Sequence, residues 1–323
     1  MENWNLKQQL TASIKEKGGF VNCHGHFDKA FYITKEGLSQ SMLDMEVKWH
    51  MSDQIKKDSN MEDIAQRLRT ALDIMISQGS KITCTFIDAY NVVGHRAIDA
   101  ANLVKEEYKN RIKLLIATQP LGGLTNMQAI QLYEEVTAKA DIAGGLPSKD
   151  RPNDDRNYDM LFGIAKNLNK PLHIHIDQEN NPNEKHTEEM IKQTIKYGYE
   201  GRVVAVHAIS VSAQDKNYRK ELYKKLVYAG ISVVVCPAAA MGMRQLDHLS
   251  APIHNSIANV PEMLEAGVVV GLGTDNIADF YQPFITGDMW EEMRLLQEAC
   301  RFYDFEELIK IATLNGQKIL SLT

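Results

Sequence analysis

Short apolar, β-branched runs recur along this chain at a nearly constant interval, and that interval constrains the fold more than any other feature. The runs are 19–26, 81–88, 113–119, 141–146, 171–177, 202–207, 232–236 and 268–275, eight in all. Measured between residues at or within two positions of their C-terminal ends, the steps are 31 residues from Asp88 to Gln119, 28 to Pro147, 28 to His175, 32 to His207 and 29 to Cys236. One βα unit takes about 30 residues. Stretches such as VVVGLGTD and ISVVVCP are continuously apolar, as strands covered on both faces of a parallel sheet must be. Amphipathic segments lie between the runs, at 61–78, 94–108, 125–140, 158–169, 184–199 and 212–229. In the first of these Ile64, Leu68, Ala71, Leu72 and Met75 share one helical face. A short helix over 261–266 has Pro261 in its first turn and Gly267 as its stop, and helices over 288–303 and 305–320 follow.

Eight such units predict an α/β fold, a (β/α)8 (TIM) barrel forming one domain over 1–323, with 1–18 as an N-terminal extension or helix. A doubly wound open sheet is the alternative, but no GxGxxG turn follows the first run. The longer step from His26 to Asp88 leaves room for an excursion over 31–60, expected to be a loop-rich cover on the active face.

Composition narrows the function classes. The chain is 44% hydrophobic and 24% charged, proportions of a folded globular protein and not of a disordered or coiled-coil one. A net charge of −6 argues against a nucleic-acid or anionic-membrane surface. No run of about 18 apolar residues exists to span a bilayer, and MENWNLKQQLTASIKEKGG lacks the apolar core of a secretory signal. Cys23, Cys84, Cys236 and Cys300 stand far apart with no CxxC pair, and read as reduced thiols. The expected location is the cytoplasm.

A barrel of this type keeps its chemistry at the C-terminal ends of its strands. Those ends carry, in order, His24 and His26, Asp88, Gln119, His175 with Asp177, His207, Cys236 and Asp275. In His24-Gly25-His26 the two imidazoles, two residues apart on a strand, point to one face. Gly25 leaves the opposite face free for close packing. Imidazole and carboxylate ligands suit zinc and iron(II) equally. His173 shares a face with His175 one layer deeper and reads as a core histidine, Cys236 as a buried structural thiol, and Met241 and Met243 as gap-filling core or pocket lining.

The segments VNCHGHFDKAF, TCTFIDAY, ADIAGGLP, HIHIDQENNPNE, VVAVHAIS, GLGTDNIADFYQPFITGDM and ATLNGQKIL resemble the amidohydrolase superfamily, and within it the cytosine deaminase branch, over roughly residues 20 to 323. The resemblance implies a barrel of the metal-dependent hydrolase type. It places the metal ligands on His24, His26, His175 and Asp275, and on His207 the residue that helps activate the water and holds the reacting centre. A glutamine that binds the substrate ring falls on Gln119, and the aromatic lid on Tyr281. The fourth run ends in GGLP, without the lysine that members with two metals carbamylate, and Lys149 beyond Pro147 reads as a loop lysine. One divalent ion, zinc or iron(II), is therefore implied. Asp88 and Asp177 are candidates for fixing the tautomers of ligand histidines. Little chain lies outside the barrel segments, so no flanking β-sandwich is evident.

Two positions depart from the family. Gln178 stands where relatives carry the glutamate that shuttles a proton to the ring, and an amide cannot gain and lose a proton near neutral pH. Glu179 follows it, but would point elsewhere if strand geometry persisted. Asn276 replaces a second acidic residue at the ring-binding wall. The implied activity is hydrolysis of a C–N bond in a small heterocycle, as in hydrolytic deamination by a metal-activated water. Asp275 and His207 are its catalytic groups, Gln178 occupies the shuttle position, and Gln119, Tyr281 and Asn276 contact the ring. The alternatives are a ring-opening cyclic-amide hydrolase, in which Asp275 alone moves the protons, and a metal-binding barrel without catalysis. The expected partner is a small molecule, with no nucleic acid and no membrane; relatives commonly form homo-oligomers.

Overall fold

Parallel strands appear where the apolar runs predict them. A computed structural model describes residues 4–43, 45–152, 154–243, 246, 248–250 and 257–321; position 44 of the expected cover and His254, which the sequence assigns no role, lie outside the described residues. The strands are β1 (Ile82–Asp88), β2 (Lys113–Gln119), β3 (Ala143–Gly145), β4 (Leu172–Ile176), β5 (Val203–His207), β6 (Ser232–Val235) and β7 (Val270–Leu272). β1 pairs with β2, and β3 to β7 pair in chain order, all parallel. A bridge from Ala117 to Ile142 joins the two groups.

The first predicted strand is not a ladder strand. It is an extended segment that closes the ring through bridges from Asn22 to both Thr83 and Leu272 and from Gly25 to Asp275. Its backbone is bonded on both sides even so: Cys23 N donates to Leu272 O and Asp275 N to His24 O, while Cys84 N donates to Asn22 O and Phe86 N to Gly25 O. The chain turns into a 3-10 helix, Phe27–Lys29, directly after His26, which leaves the segment too short for a regular ladder.

Alternation sorts the strand residues between two apolar layers. In β5, Val204 and Val206 join Phe86, Leu115 and Ala117 in one cluster, whereas Val203 and Ala205 pack with the helices. In β4, Leu172, Ile174 and Ile176 take the helix side, so His173 and His175 occupy the other face.

The helices fall within a few residues of expectation, for example Met61–Ser77, Arg96–Tyr108 and Met289–Cys300. Asn60 and Asp63 form a reciprocal capping box at the start of the first of these. Two expectations need correction. The predicted helix over 305–320 is two, Phe305–Ala312 and Leu314–Leu320, broken at Thr313 with φ −131° and ψ −85°. The segment over 31–60 is not mainly loop: it contains a 14-residue helix, Met45–Asp58. That helix escapes the hydrophobic pattern because its buried positions include Ser52 and Lys56, polar groups with partners on the barrel.

Candidate active site

Four imidazoles and one carboxylate converge at the C-terminal mouth of the barrel. His24, His26, His175 and His207 are at most 4% exposed. His26 Nε2 lies 3.0 Å and His24 Nε2 3.3 Å from Asp275 Oδ1, and His175 Nε2 is 3.4 Å from His26 Nε2. Ligand atoms of His24, His175 and His207, and of His24, His26 and Asp275, lie within 4.8 Å of one another in each group. The opening segment, β4, β5 and the turn after β7 thus contribute to one point.

Local backbone aims these groups. His207, with φ 79°, and Asp275, with φ 59°, adopt the left-handed conformation just where their strands end, a strain seen mostly at functional sites. Gly273 permits the approach of the first segment: a Cβ there would stand 2.8 Å from both the Cβ and the carbonyl oxygen of His24. At His175, Nδ1 faces the Gly145 carbonyl oxygen at 3.0 Å. If Nδ1 carries the proton and donates it there, Nε2 is left with its lone pair toward the cluster.

Burial keeps these rings neutral. It pushes His24, His26 and His207 down to about 4 and His175 well below its ordinary value. Burial alone would raise the Asp275 carboxyl, but hydrogen bonds with His24 and His26 and the field of His207 outweigh it and hold the group ionised. Neutral imidazoles and a carboxylate are the protonation states in which such groups bind metal. Nδ1 of His24 and Nδ1 of His26 lack a hydrogen-bond partner among the described residues, a costly arrangement for buried polar atoms unless a ligand completes it. The donor set therefore fits a divalent cation.

Above this cluster opens a cavity of about 820 Å³ lined by His26, His175, His207 and Asp275 together with Gln119, Gln178, Asn276 and Tyr281. All the residues assigned to the site from sequence except the fully enclosed His24 thus face one space. Gln178 Nε2 donates to Ser148 Oγ at 3.3 Å. The Tyr281 hydroxyl is 3.2 Å from Ser52 Oγ on the helix Met45–Asp58, and Trp49 and Lys48 of that helix also line the cavity, so the cover is a helix docked on the rim. Glu179 lines the cavity beside Gln178. β4 has ended at Ile176 and Asp177 has φ 48°, so strand alternation no longer separates them.

Two carboxylates expected to steady histidines do other work. Asp88 is a buried ion-pair centre, with Lys29 Nζ 3.0 Å from Oδ1 and Lys56 Nζ 2.8 Å from Oδ2. Its backbone N–H donates to Asp28 Oδ2 at 2.9 Å. Asp177 accepts from the backbone N–H groups of His186 and Thr187 at 2.9 and 3.0 Å, binding the start of the helix His186–Tyr197. Lys149 is 3.7 Å from the Trp49 ring, reaching the cover. His173 is a buried histidine beside Phe86. Burial drives the Cys236 thiol well above its ordinary value, which makes it a poor nucleophile. Of the two methionines noted beside it, Met243 lines the cavity and Met241 is 43% exposed.

Sequence reasoning missed Lys29, Lys56, Asp28 and Asp279. Lys29 and Asp279 sit inside the segments HGHFDKAF and TDNIADFYQ, so their proximity to the ligand positions was a usable signal. Lys56 offered none.

The comparisons agree with this architecture. A protein of Haemophilus influenzae described only as uncharacterized is 36% identical over 80% of this chain and 95% of its own length. The N-isopropylammelide isopropyl amidohydrolase of a Pseudomonas species is 26% identical over 94% of this chain and 74% of its own. The crystal structure of 5-methylcytosine deaminase from Klebsiella pneumoniae superposes with a TM-score of 0.86 at 21% identity, covering 94% of this chain and 75% of that one, a likeness of fold. The family model for the amidohydrolases matches residues 18–323. This chain belongs to the amidohydrolase family, and its chemistry is the hydrolysis of carbon–nitrogen bonds.

Proposed function

We propose that the chain hydrolyses an exocyclic C–N bond of a small nitrogen heterocycle, releasing ammonia or an amine. The observation that carries this reading is the convergence of His24, His26, His175, His207 and Asp275 below a cavity lined by amides and Tyr281. On this reading His24, His26, His175 and Asp275 hold one divalent ion, zinc or iron(II), whose chemistry when bound is to activate a water near neutral pH. Asp275 accepts the water's proton and passes it to the departing nitrogen. The water oxygen bonds to the ring carbon, and the C–N bond breaks with its electron pair going to that nitrogen. His207 faces the reacting carbon's substituent and steadies the charge that develops there. Gln119, Asn276 and Tyr281 orient the ring, and Gln178 offers an uncharged hydrogen bond. Three buried free thiols fit a reducing cytoplasm, and no helix among the described residues is long and apolar enough to cross a membrane.

Gln178 favours one second reading, opening of a cyclic amide, in which Asp275 alone carries the water's proton to the departing ring nitrogen and no second acid at position 178 is needed. Free ammonia separates the two. Metal content by plasma mass spectrometry, followed by an ammonia-release screen on aminated rings, tests the proposal. About one equivalent of zinc or iron and stoichiometric ammonia are expected, with turnover falling by about a thousandfold in Asp275→Asn. Full turnover in that variant overturns the mechanism; ring opening without ammonia selects the second reading.

A further inference from the structure

Two amides of the cavity wall have their orientation set by charged partners, and each partner allows only one choice. Lys29 Nζ approaches the Gln119 side chain at 2.8 Å. An ammonium has only protons to offer, so the Gln119 atom it meets is the oxygen. The Gln119 Nε2 has no partner among the described residues and is left to the cavity that Gln119 lines. Asp279 works in the opposite sense. Its Oδ1 accepts from the backbone N–H groups of Tyr281 and Gln282 at 2.8 and 3.0 Å, and its Oδ2 is hydrogen-bonded by Asn276. A carboxylate has only lone pairs to offer, so the Asn276 atom it meets is the nitrogen. Oδ1 of Asn276, likewise without a partner among the described residues, is the atom left to the cavity.

Neither amide can turn over without setting like against like beside a buried charge. Lys29 and Asp279 are 4% and 0% exposed, so water cannot relieve the mismatch. We infer that Lys29 and Asp279 are positioning residues that lock the cavity wall into one polarity, a donor at Gln119 and an acceptor at Asn276. The ligand class follows: a heterocycle presenting a carbonyl oxygen or other bare acceptor toward Gln119 and a ring N–H toward Asn276, a lactam-type edge. The acidic side chain absent at position 276 is thereby replaced by a neutral acceptor, which accepts a ring N–H without favouring a cationic ring. This rests on the hydrolytic reading above for the identity of the cavity as a ring site.

The test uses ring pairs that carry the same amino leaving group and opposite polarity on the next edge: 4-aminopyrimidin-2-one against 2,4-diaminopyrimidine, and 2-amino-4-oxopteridine against 2,4-diaminopteridine. Binding to the metal-loaded protein is measured by calorimetry, for each pair at a pH where both of its members are neutral, and ammonia release is read in parallel. In at least one pair the oxo ring binds about tenfold or more tighter than the diamino ring, and Gln119→Glu, which leaves only acceptors at that position, removes or reverses the preference. Asp279→Asn frees Asn276 to turn and narrows the same ratio, a second route if the first variant folds poorly. A purely structural role would weaken both members of a pair alike. Equal binding within both pairs, an unchanged ratio in both variants, or binding of none of the four rings overturns the inference. Equal binding within both pairs with ammonia still released leaves hydrolysis standing while the polarity falls. The predicted binding order without ammonia leaves the polarity standing while deamination falls.

Discussion

Lys56, on the helix that covers the cavity, places its Nζ 2.8 Å from Oδ2 of Asp88 at the end of β1, with both side chains buried. The carboxylate also holds Lys29, so one buried acid joins the cover, the barrel rim and the segment that carries His24 and His26. Burial alone would raise the Asp88 carboxyl, but its two lysines outweigh that and keep it ionised.

Removing the shared charge strands two buried ammonium groups. Asp88→Asn is expected to lower stability by about 3–5 kcal/mol, read from urea unfolding midpoints. A loss under about 1 kcal/mol would mean that the lysines find water or another acceptor.

Gly273→Ala removes no ligand but sets a methyl group 2.8 Å from the Cβ and carbonyl oxygen of His24. The displaced imidazole should cost about 10–100-fold in metal affinity, measured by chelator competition, while circular dichroism stays native. Unchanged affinity would show that the segment shifts without disturbing His24.

Burial pushes the Asp279 carboxyl up to about 6, above its value of about 3.9 in an unfolded chain. Between pH 4 and 6 the unfolded chain has released this proton and the folded one retains it, so Asp279 lowers stability as pH rises through that window. The buried imidazoles, with lowered values, act in the opposite direction over the same range. The observable is therefore the difference between variants: Asp279→Asn should be favoured over wild type by about 1–2 kcal/mol more at pH 6.5 than at pH 4.5. An identical pH profile in the two proteins would contradict the assignment.

Tyr281→Phe deletes the hydroxyl that meets Ser52 Oγ at 3.2 Å and keeps the aromatic wall. Loosening the cover should raise KM by about fivefold, the equivalent of one ordinary hydrogen bond, with little change in kcat. A fall in kcat at constant KM would instead place the hydroxyl in the chemistry.

Much of this protein was legible before any coordinates. A parallel barrel imprints its βα repeat on the sequence, because each strand must be apolar on both faces and each crossover must be long enough to return. Catalytic groups at strand ends inherit that spacing, so His24, His26, His175, His207 and Asp275 could be assigned to one mouth from their places in the repeat. What only the tertiary structure decided are the partnerships that cross between units. Asp88 could have steadied a histidine but pairs with Lys29 and Lys56, and Asp177 binds the start of a helix. The helix Met45–Asp58 hides from periodicity because buried Ser52 and Lys56 find their partners on the barrel, at Tyr281 and Asp88. The direction in which Gln119 and Asn276 face depends on charges 90 residues away in one case and three residues away in the other. Periodicity records what each residue must do for its own strand or helix; a hydrogen bond between distant elements leaves no periodic trace.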